Sequence, residues 1–325
     1  MSQTSTPPSP DATAAADGAR PVRRVLMLTH TGREEARSAA REVAAALAGH
    51  GMVVRMIARE ARDLDMSVDV ETTQDESGAS AGCELTLVIG GDGTILRAAE
   101  ITRDSGTPVL GVNLGHVGFL AEAEHDDLAS VIDAVVAQRY TVEDRMSIDV
   151  RVLRDGEVVT STFALNEASV EKAARERMLE VVVEVDGRPL SRWGCDGVVC
   201  ATPTGSTAYN FSAGGPVVWP GVEALLMVPI SAHALFARPL VVAPTSVLAV
   251  EVLARTDSAG VLWCDGRRAV DLPPGARIEV RRGGRPVRLA RLHEAPFTDR
   301  LVAKFGLPVE GWRGSAERRR RGQHA

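Results

Sequence analysis

The sequence predicts an α/β domain followed by a mainly antiparallel β domain, with the change near Arg145. Before that residue, short apolar runs alternate with stretches in which apolar residues recur at helical spacing. Strands that alternate with helices predict a parallel sheet covered by helices, as in a Rossmann-like domain. After Arg145 the helical period largely disappears, and apolar residues recur at every second position, as in antiparallel strands.

The elements of the first domain follow from this pattern in order. The apolar run at 25–29 predicts a strand, and the apolar face from Ala36 to Leu47 predicts a helix that ends at Gly49. Three later runs predict further strands, at 52–57, 85–89 and 109–112. The clearest helical face comes last, from Leu128 to Val136.

Segments with a period of two define the second domain, and they lie at 148–152, 181–185, 250–252 and 278–280. Between such segments stand dipeptides that accept positive φ and so predict tight hairpin turns. These dipeptides are Asp155-Gly156, Asp186-Gly187, Asp265-Gly266 and Gly283-Gly284.

Composition narrows the classes of function. The formal net charge of −6 is modest and is not gathered into one block, so it gives no sign of a nucleic-acid surface. The four cysteines include no C-x-x-C pair, so we expect no structural zinc and no other metal held by the protein. The first residues lack the basic-then-apolar order typical of a signal peptide, and no run of eighteen apolar residues occurs. We therefore expect a soluble, cytoplasmic protein that binds neither nucleic acid nor membranes.

Five segments are predicted along the chain. We expect disordered tails at 1–22 and 313–325, the first rich in Pro, Ser and Ala and the second basic. The α/β domain covers 23–145 and the β domain 146–293. A last segment, 294–312, is expected to pack back on the α/β domain.

The most informative segment is LTLVIGGDGT at 85–94, in which a strand runs directly into three glycines around one acid. Glycines let the main chain turn sharply and let phosphate oxygens approach its N–H groups, and the following helix adds partial positive charge. A carboxylate beside a phosphate is unfavourable unless it accepts a proton from a nucleophile or helps to hold a metal. Asp92 is therefore a candidate catalytic residue. The alternative is a strand-end turn in which Gly-Asp-Gly serves geometry alone.

A second glycine-bearing turn follows the next strand, at 113–118. Open α/β sheets bind ligands outside the carboxyl ends of their strands. The two turns are therefore expected at one edge of the sheet.

A long polar loop interrupts the second domain. Residues 194–216 read GCDGVVCATPTGSTAYNFSAGGP, in which a short apolar run at 198–201 leads into about fifteen residues rich in Gly, Ser, Thr and Pro. Loops of this length are uncommon unless they are functional. Hydroxyl and amide groups can bind ribose and phosphate, and a base can stack on Tyr209. The side chains that offer them are Thr202, Thr204, Ser206, Thr207, Tyr209, Asn210 and Ser212. An ordinary surface loop is the alternative.

Three shorter signals carry less information by themselves. Asn166-Glu167 is typical of a solvated strand end, and Asp265-Gly266 is interpreted as a hairpin turn. Asp196 precedes a glycine at a strand start, where burial would require a polar partner.

Taken together, GGDGT at 90–94, NLGHVGFL at 113–120, LNE at 165–167 and the block at 195–216 resemble the NAD kinase family. The resemblance extends from Val25 to about Leu307. GGDGT alone is shared with diacylglycerol, sphingosine and 6-phosphofructo-kinases, whereas the TPTGSTAY block and the LNE triplet are specific. The resemblance implies phosphoryl transfer from ATP, or from polyphosphate, to the 2′-hydroxyl of the adenosine ribose of NAD, giving NADP. Mg²⁺ is expected to arrive with the phosphate donor.

The resemblance also implies roles for particular residues. Asp92 corresponds to the base that activates the 2′-hydroxyl. NAD is expected between the domains, in contact with Asp92, Gly93, Arg97, Asn166, Glu167, Arg177, Asp196, Thr207, Ala208, Tyr209, Asn210, Phe211 and Ser212. Relatives are commonly homodimers or homotetramers formed through the β domain.

Several points stay open. Gly194 and Ala201 stand where many relatives have polar residues, and Arg267 stands where Gln is common. Phosphate-donor preference, use of NADH and regulation by NADPH are undetermined. His233 matches a family segment, and a structural role is favoured over a catalytic one.

Two other functions are weighed against this one. A lipid or sugar kinase would share the GGDGT turn but would not be expected to carry the TPTGSTAY loop. A dinucleotide-binding regulator without catalysis would not need Asp92.

Overall fold

The protein is described by a computed structural model that covers residues 22–113, 118–121, 123–124, 128–175, 177–255, 259–293 and 296–309. Both predicted tails lie outside this part of the chain, apart from Val22. Among the described residues, no helix has the length and apolar character needed to cross a membrane.

The first domain alternates strands and helices. Its strands are β1 (Arg24–Thr29), β2 (Val53–Ile57), β3 (Glu71–Thr73), β4 (Leu85–Ile89), β5 (Val109–Asn113), β6 (Ala123–Glu124) and β7 (Thr141–Arg145). Its helices are α1 (Glu34–Gly49), α2 (Ala58–Leu64), α3 (Asp92–Thr102) and α4 (Leu128–Val136). Strands β3, β2, β1, β4 and β5 are neighbours in that order and pair in parallel, and β6 pairs with β5.

Helices cover both faces of this sheet. Val25 and Met27 of β1 pack in the core that contains the apolar side of α1 and α4. Leu26 and Leu28 pack in a second core with residues of α3. Successive side chains of a strand point to opposite faces, so a strand between two helical layers is buried throughout, as β4 and β5 are.

The second domain consists of two antiparallel six-stranded sheets. Its strands are β8 (Ile148–Arg154), β9 (Glu157–Ala164), β10 (Glu167–Lys172), β11 (Leu179–Val185), β12 (Arg188–Cys195), β13 (Gly197–Ala201), β14 (Leu225–Ile230), β15 (Leu240–Val242), β16 (Leu248–Val252), β17 (Gly260–Cys264), β18 (Arg268–Leu272) and β19 (Arg277–Arg282). One sheet has the order β15-β14-β13-β10-β17-β18 and the other β12-β11-β16-β19-β8-β9. A short helix, α5 (Tyr209–Ser212), lies between β13 and β14. A shared core that includes Val150, Val181, Trp193 and Leu262 lies between them.

Three of the four predicted hairpins are confirmed. Asp155, Asp186 and Asp265 have φ values of 51°, 53° and 53°, and each is followed by a glycine of positive φ between two paired strands. The prediction at Gly283-Gly284 is wrong, because this dipeptide connects β19 to a strand in the other domain.

That strand is β20 (Val287–Arg291), which pairs in parallel with β5 and antiparallel with β7. The chain therefore returns to the first sheet at Val287, whereas the sequence analysis assigned residues up to 293 to the β domain. Apolar alternation looks the same in either sheet, so the pattern of β20 did not reveal where it pairs. Helix α6 (Phe297–Phe305) follows, and rings of both its end residues contact Phe119. The predicted fold class, an α/β domain and an antiparallel β domain with a C-terminal return, is confirmed.

Candidate active site

A cleft of about 620 Å³ opens at the carboxyl ends of β1 and β4. From the first domain it is lined by Thr29, His30, Thr31, Gly32, Arg33, Gly91, Gly93, Thr94 and Arg97. From the second domain the lining consists of Asp265, Gly266 and Arg267, in the hairpin between β17 and β18. Both domains thus form the cleft, at the predicted sheet edge.

The GGDGT turn passes directly from β4 into α3, as predicted. A Cβ on Gly90 would lie 2.8 Å from Oγ1 of Thr94, so a larger residue does not fit there. Ideal Cβ positions on Gly91 and Gly93 have no atom within 4 Å, so both residues leave open space. The N-terminal end of α3, with its free N–H groups and partial positive charge, therefore faces unobstructed space.

Asp92 is the first residue of α3, and its carboxylate accepts two main-chain hydrogen bonds. The N–H of Phe119 lies 3.3 Å from Oδ2, and the N–H of Leu120 lies 3.3 Å from Oδ1. Gly118 lies so close that a Cβ there would be 2.5 Å from Oδ1. The two glycine-bearing turns are therefore neighbours, although residues 114–117 of the second lie outside the described part of the chain.

Arg97 lies in the wall of the cleft between two carboxylates. Its guanidinium pairs with Glu60 and, at 2.8 Å, with Glu76. Burial by itself lowers the pKa of Arg97, but these two carboxylates outweigh it and raise the pKa above its usual value. Glu60 is fixed in turn, because it accepts the N–H of Thr29 at 2.9 Å. Arg97 is thus a charged group held rigidly in the cleft wall.

Asp265 has a function that the sequence analysis missed. Its side chain accepts the N–H groups of Leu165, Asn166 and Glu167, at 2.9, 2.7 and 3.4 Å. Arg268 contributes a further bond at 3.0 Å, and Asp265 is only 6% exposed. The hairpin is present as expected, but its acid also anchors the predicted binding pair Asn166-Glu167. No local signal marks such a contact, since its partners are about a hundred residues away in sequence.

Glu167 is a buried acid, 8% exposed. Burial and the nearby Asp265 carboxylate raise its pKa to about 8, although a hydrogen bond from the N–H of Tyr209 acts in the opposite direction. Within the described residues, its Oε2 atom has no hydrogen-bond partner. At neutral pH Glu167 is therefore largely a neutral carboxylic acid with an oxygen left to bind a ligand.

The polar loop packs tightly against the Asn166-Glu167 pair. A Cβ on Gly205 would lie 2.0 Å from the carbonyl oxygen of Asn166, so only glycine fits. The hydroxyl of Thr202 donates to the carbonyl of Leu165 at 2.6 Å. The loop is thus fixed against the strand that carries the predicted binding pair.

Some polar side chains of the loop form hydrogen bonds within the loop itself. Ser206 Oγ lies 2.9 Å from the N–H of Val218, which donates to it, and buried Asn210 Nδ2 donates to the carbonyl of Ser206 at 3.4 Å. Ser206 Oγ and Asn210 Nδ2 therefore fix the loop, whereas Oδ1 of Asn210 has no hydrogen-bond partner among the described residues. Tyr209, Phe211 and Ser212 are exposed, while Thr207 and Ala208 are half-buried.

The sequence also singles out Asp196, Arg177 and His233. Asp196 pairs with Lys172 at 2.6 Å, and this ammonium group lowers the pKa of Asp196. Burial raises the pKa of Tyr209, with smaller contributions from nearby acids that include Asp196. Arg177 is exposed on the connection between β10 and β11. His233 donates its main-chain N–H to the carbonyl of Gly194 at 2.8 Å, which is a structural contact.

In the described part of the chain, no three His, Cys, Asp or Glu side chains are grouped as metal ligands.

The chain matches two family profiles, the ATP-NAD kinase N-terminal domain over residues 25–140 and the ATP-NAD kinase C-terminal domain over residues 165–292. It is 63% identical to NAD kinase 2 of Streptomyces coelicolor, over 90% of this chain and 98% of that protein. It is 61% identical to the NAD kinase of Thermobifida fusca, over 91% and 93% of the two chains.

The fold is also found in solved structures. A yeast NADH kinase in complex with NADH superposes with a TM-score of 0.81 and 25% identity, covering 90% of each chain. An NAD kinase from Archaeoglobus fulgidus in complex with ATP has a TM-score of 0.64 and 26% identity, covering 88% of this chain and 99% of the other. This chain therefore belongs to the NAD kinase family, and it is an enzyme that phosphorylates NAD to NADP.

Proposed function

We propose that Asp92 is the general base of this reaction and that the two substrates meet beside it. The observation that carries the proposal is the position of Asp92, between the cleft-lining Gly91 and Gly93 and against the second glycine turn. Its two amide hydrogen bonds fix the direction of the carboxylate.

The donor is proposed to be ATP, with its phosphates in the 620 Å³ cleft. Arg33 and Arg267 are exposed there and offer positive charge, His30 offers an exposed imidazole, and Gly91 and Gly93 offer open main chain at the start of α3. The ATP complex of the Archaeoglobus relative supports this choice of donor. Polyphosphate is the alternative, since the same groups recognise any chain of phosphates.

The acceptor NAD is proposed to lie between Asp92 and the polar loop. Asn166 and neutral Glu167 would bind ribose hydroxyls, because Glu167 has an oxygen without a partner among the described residues. Exposed Tyr209 offers a face for a base. Further contacts are proposed from Gly93, Arg97, Arg177, Asp196, Thr207, Ala208, Phe211 and Ser212. Asn210 is proposed to hold the loop through Nδ2 and to contact NAD through Oδ1, which has no partner among the described residues.

In the proposed mechanism, Asp92 takes the proton of the 2′-hydroxyl as that oxygen attacks the γ-phosphorus of ATP. A bond forms between the 2′-oxygen and the γ-phosphorus, and the bond to the β–γ bridging oxygen breaks. ADP leaves with that electron pair. A magnesium ion carried by the phosphates would neutralise part of their charge. The protein aligns the reacting groups and accepts the proton.

The test is a coupled assay in which a dehydrogenase specific for NADP detects the product formed from NAD, ATP and magnesium. Replacing Asp92→Asn is expected to lower kcat by about 10²–10⁴, with NAD binding by calorimetry retained. Asp133→Asn, an exposed acid on α4, is the matched control and should keep full activity. Full activity in the Asp92→Asn variant would contradict the base assignment. Parallel reactions with polyphosphate and with NADH define the donor and the acceptor.

We also propose a cytoplasmic homodimer or homotetramer that supplies NADP. Exposed apolar side chains in the β domain, such as Leu235, Phe236 and Val241, support association through that domain. Light scattering on the purified protein measures the oligomeric state, and a monomer at assay concentration would contradict this proposal.

A further inference from the structure

Helix α6 contacts two parts of the site, the turn that contains Gly118 and the polar loop, although none of its residues is buried. The ring of Phe305 lies 4.6 Å from that of Phe211 in the polar loop and 5.8 Å from that of Phe119. Phe297, at the other end of the helix, lies 6.1 Å from Phe119. The C-terminal helix therefore spans the segment beside Asp92 and the loop proposed to bind NAD.

Arg300 of this helix holds the main chain beside Asp92. Its Nη1 atom donates to the carbonyl of Phe119 at 3.3 Å and to the carbonyl of Ala121 at 2.9 Å. The N–H groups of Phe119 and Leu120 are the ones that bind Asp92. The segment Phe119–Ala121 thus accepts hydrogen bonds from Arg300 through its carbonyl groups. Through its N–H groups the same segment donates to Asp92.

A second guanidinium acts on the same segment. Arg291 of β20 donates to the carbonyl of Leu120 at 3.4 Å, and its Nε donates to Glu143 at 2.9 Å. Burial opposes ionisation of Glu143, but the guanidinium of Arg145 and that of Arg291 outweigh it and lower the pKa of Glu143. Arg291 is therefore anchored by an ionised acid. It belongs to β20, whereas Arg300 is the residue through which the C-terminal helix binds this segment.

We infer that Arg300 is a positioning residue for Asp92, which it fixes in place through the main chain of Phe119–Ala121. The inference rests on the proposed role of Asp92 as the base. Without Arg300, two of the carbonyls lose their charged donor and the amides are free to shift. An error of about 1 Å in the position of a reacting group can cost on the order of 10²-fold in rate. Arg300 itself has no place in the proposed substrate contacts, so NAD binding should change little.

The experiment compares Arg300→Ala, Arg300→Lys and the matched control Lys304→Ala, an exposed cation on the same helix. In Arg300→Ala, kcat is expected to fall about 10-fold or more, with the KM and the calorimetric Kd for NAD within about threefold. Arg300→Lys should recover part of kcat, because an ammonium group can still donate to one carbonyl. Lys304→Ala should match the wild type.

Adding Arg300→Ala to Asp92→Asn separates this inference from the proposed function. If Arg300 acts through Asp92, the double variant should have the same residual rate as Asp92→Asn alone. Wild-type kcat in Arg300→Ala would overturn the inference, and so would equal losses of kcat and NAD affinity without rescue by lysine. Full activity in Asp92→Asn would instead overturn the base assignment. If Arg300→Ala does not fold, Arg300→Gln, which keeps one amide donor, is judged by the same comparisons.

Discussion

Replacing Gly118→Ala tests whether the position of the Asp92 carboxylate limits the reaction. The added Cβ would lie 2.5 Å from Oδ1 of Asp92, whereas ordinary contact begins at 3.4 Å. The carboxylate, or the segment that carries Gly118, must therefore move by about 0.9 Å, the difference between these distances.

A displacement of this size is expected to lower kcat by about 10²-fold. That corresponds to about 2.7 kcal/mol in the activation free energy. The fold should persist, because only one methyl group enters a half-buried position. Gly49→Ala is the matched control, since no atom lies within 4 Å of its Cβ and its φ is not positive. Its activity should equal that of the wild type.

The assay measures NADP formation with saturating ATP and varied NAD, and calorimetry measures NAD binding. Asp92→Asn serves as the second background. If Gly118→Ala acts by displacing the carboxylate, it should lower kcat little further in the Asp92→Asn variant, in which that side chain has no charge. Two results would refute the reasoning. One is wild-type kcat in Gly118→Ala, and the other is a further loss of about 10²-fold on the Asp92→Asn background, since that would place the effect elsewhere.

Three further changes test other parts of the site. The pKa of Glu167 is raised from 4.5 to about 8 in the folded protein. The free energy of unfolding of the wild type should therefore fall, by up to several kcal/mol, as the pH rises from 4.5 to about 8, and Glu167 should cause no further fall at higher pH. Glu167→Gln should remove this component, and identical pH dependences in urea unfolding would contradict it. Phe163→Leu removes a ring whose centroid lies 4.0 and 4.2 Å from two guanidinium carbons. It should lower the free energy of unfolding in urea by about 1–2 kcal/mol. An unchanged free energy would show that these contacts contribute nothing. Gly205→Ala should abolish NAD binding in calorimetry, because its Cβ would lie 2.0 Å from a main-chain oxygen. Gly221→Ala, with open space around it, is the control, and retained binding in Gly205→Ala would contradict the role of this contact.

Sequence reasoning succeeds where the signal is local. The strand, turn and helix at 85–102 follow from an apolar run, three glycines and helix-forming residues, all within one stretch of chain. The hairpin at Asp265-Gly266 is predicted for the same reason, since positive φ at a two-residue turn is a property of the dipeptide itself.

The same reasoning fails where the contact is distant. Nothing near Asp265 indicates that its carboxylate binds the amides of Asn166 and Glu167 from a different strand. The buried pairing of Asn210 inside its own loop is also hidden, because composition reports which polar groups are present and not which are already bonded. Strand β20 has an alternating pattern that would suit either domain, and only the pairing with β5 and β7 decides its sheet.

The glycines of the motifs illustrate this difference physically. From the sequence alone, glycine is interpreted as a residue that lets the main chain adopt positive φ. Gly266 has this function, with a φ of 62°. Gly118 and Gly205 are glycines for a different reason, and Gly205 does not have positive φ. They are small because the Asp92 carboxylate and the Asn166 carbonyl occupy the space where a Cβ would lie. Each therefore marks a place where two distant segments meet, so these two motif glycines are determinants of packing around the proposed base and the proposed acceptor site.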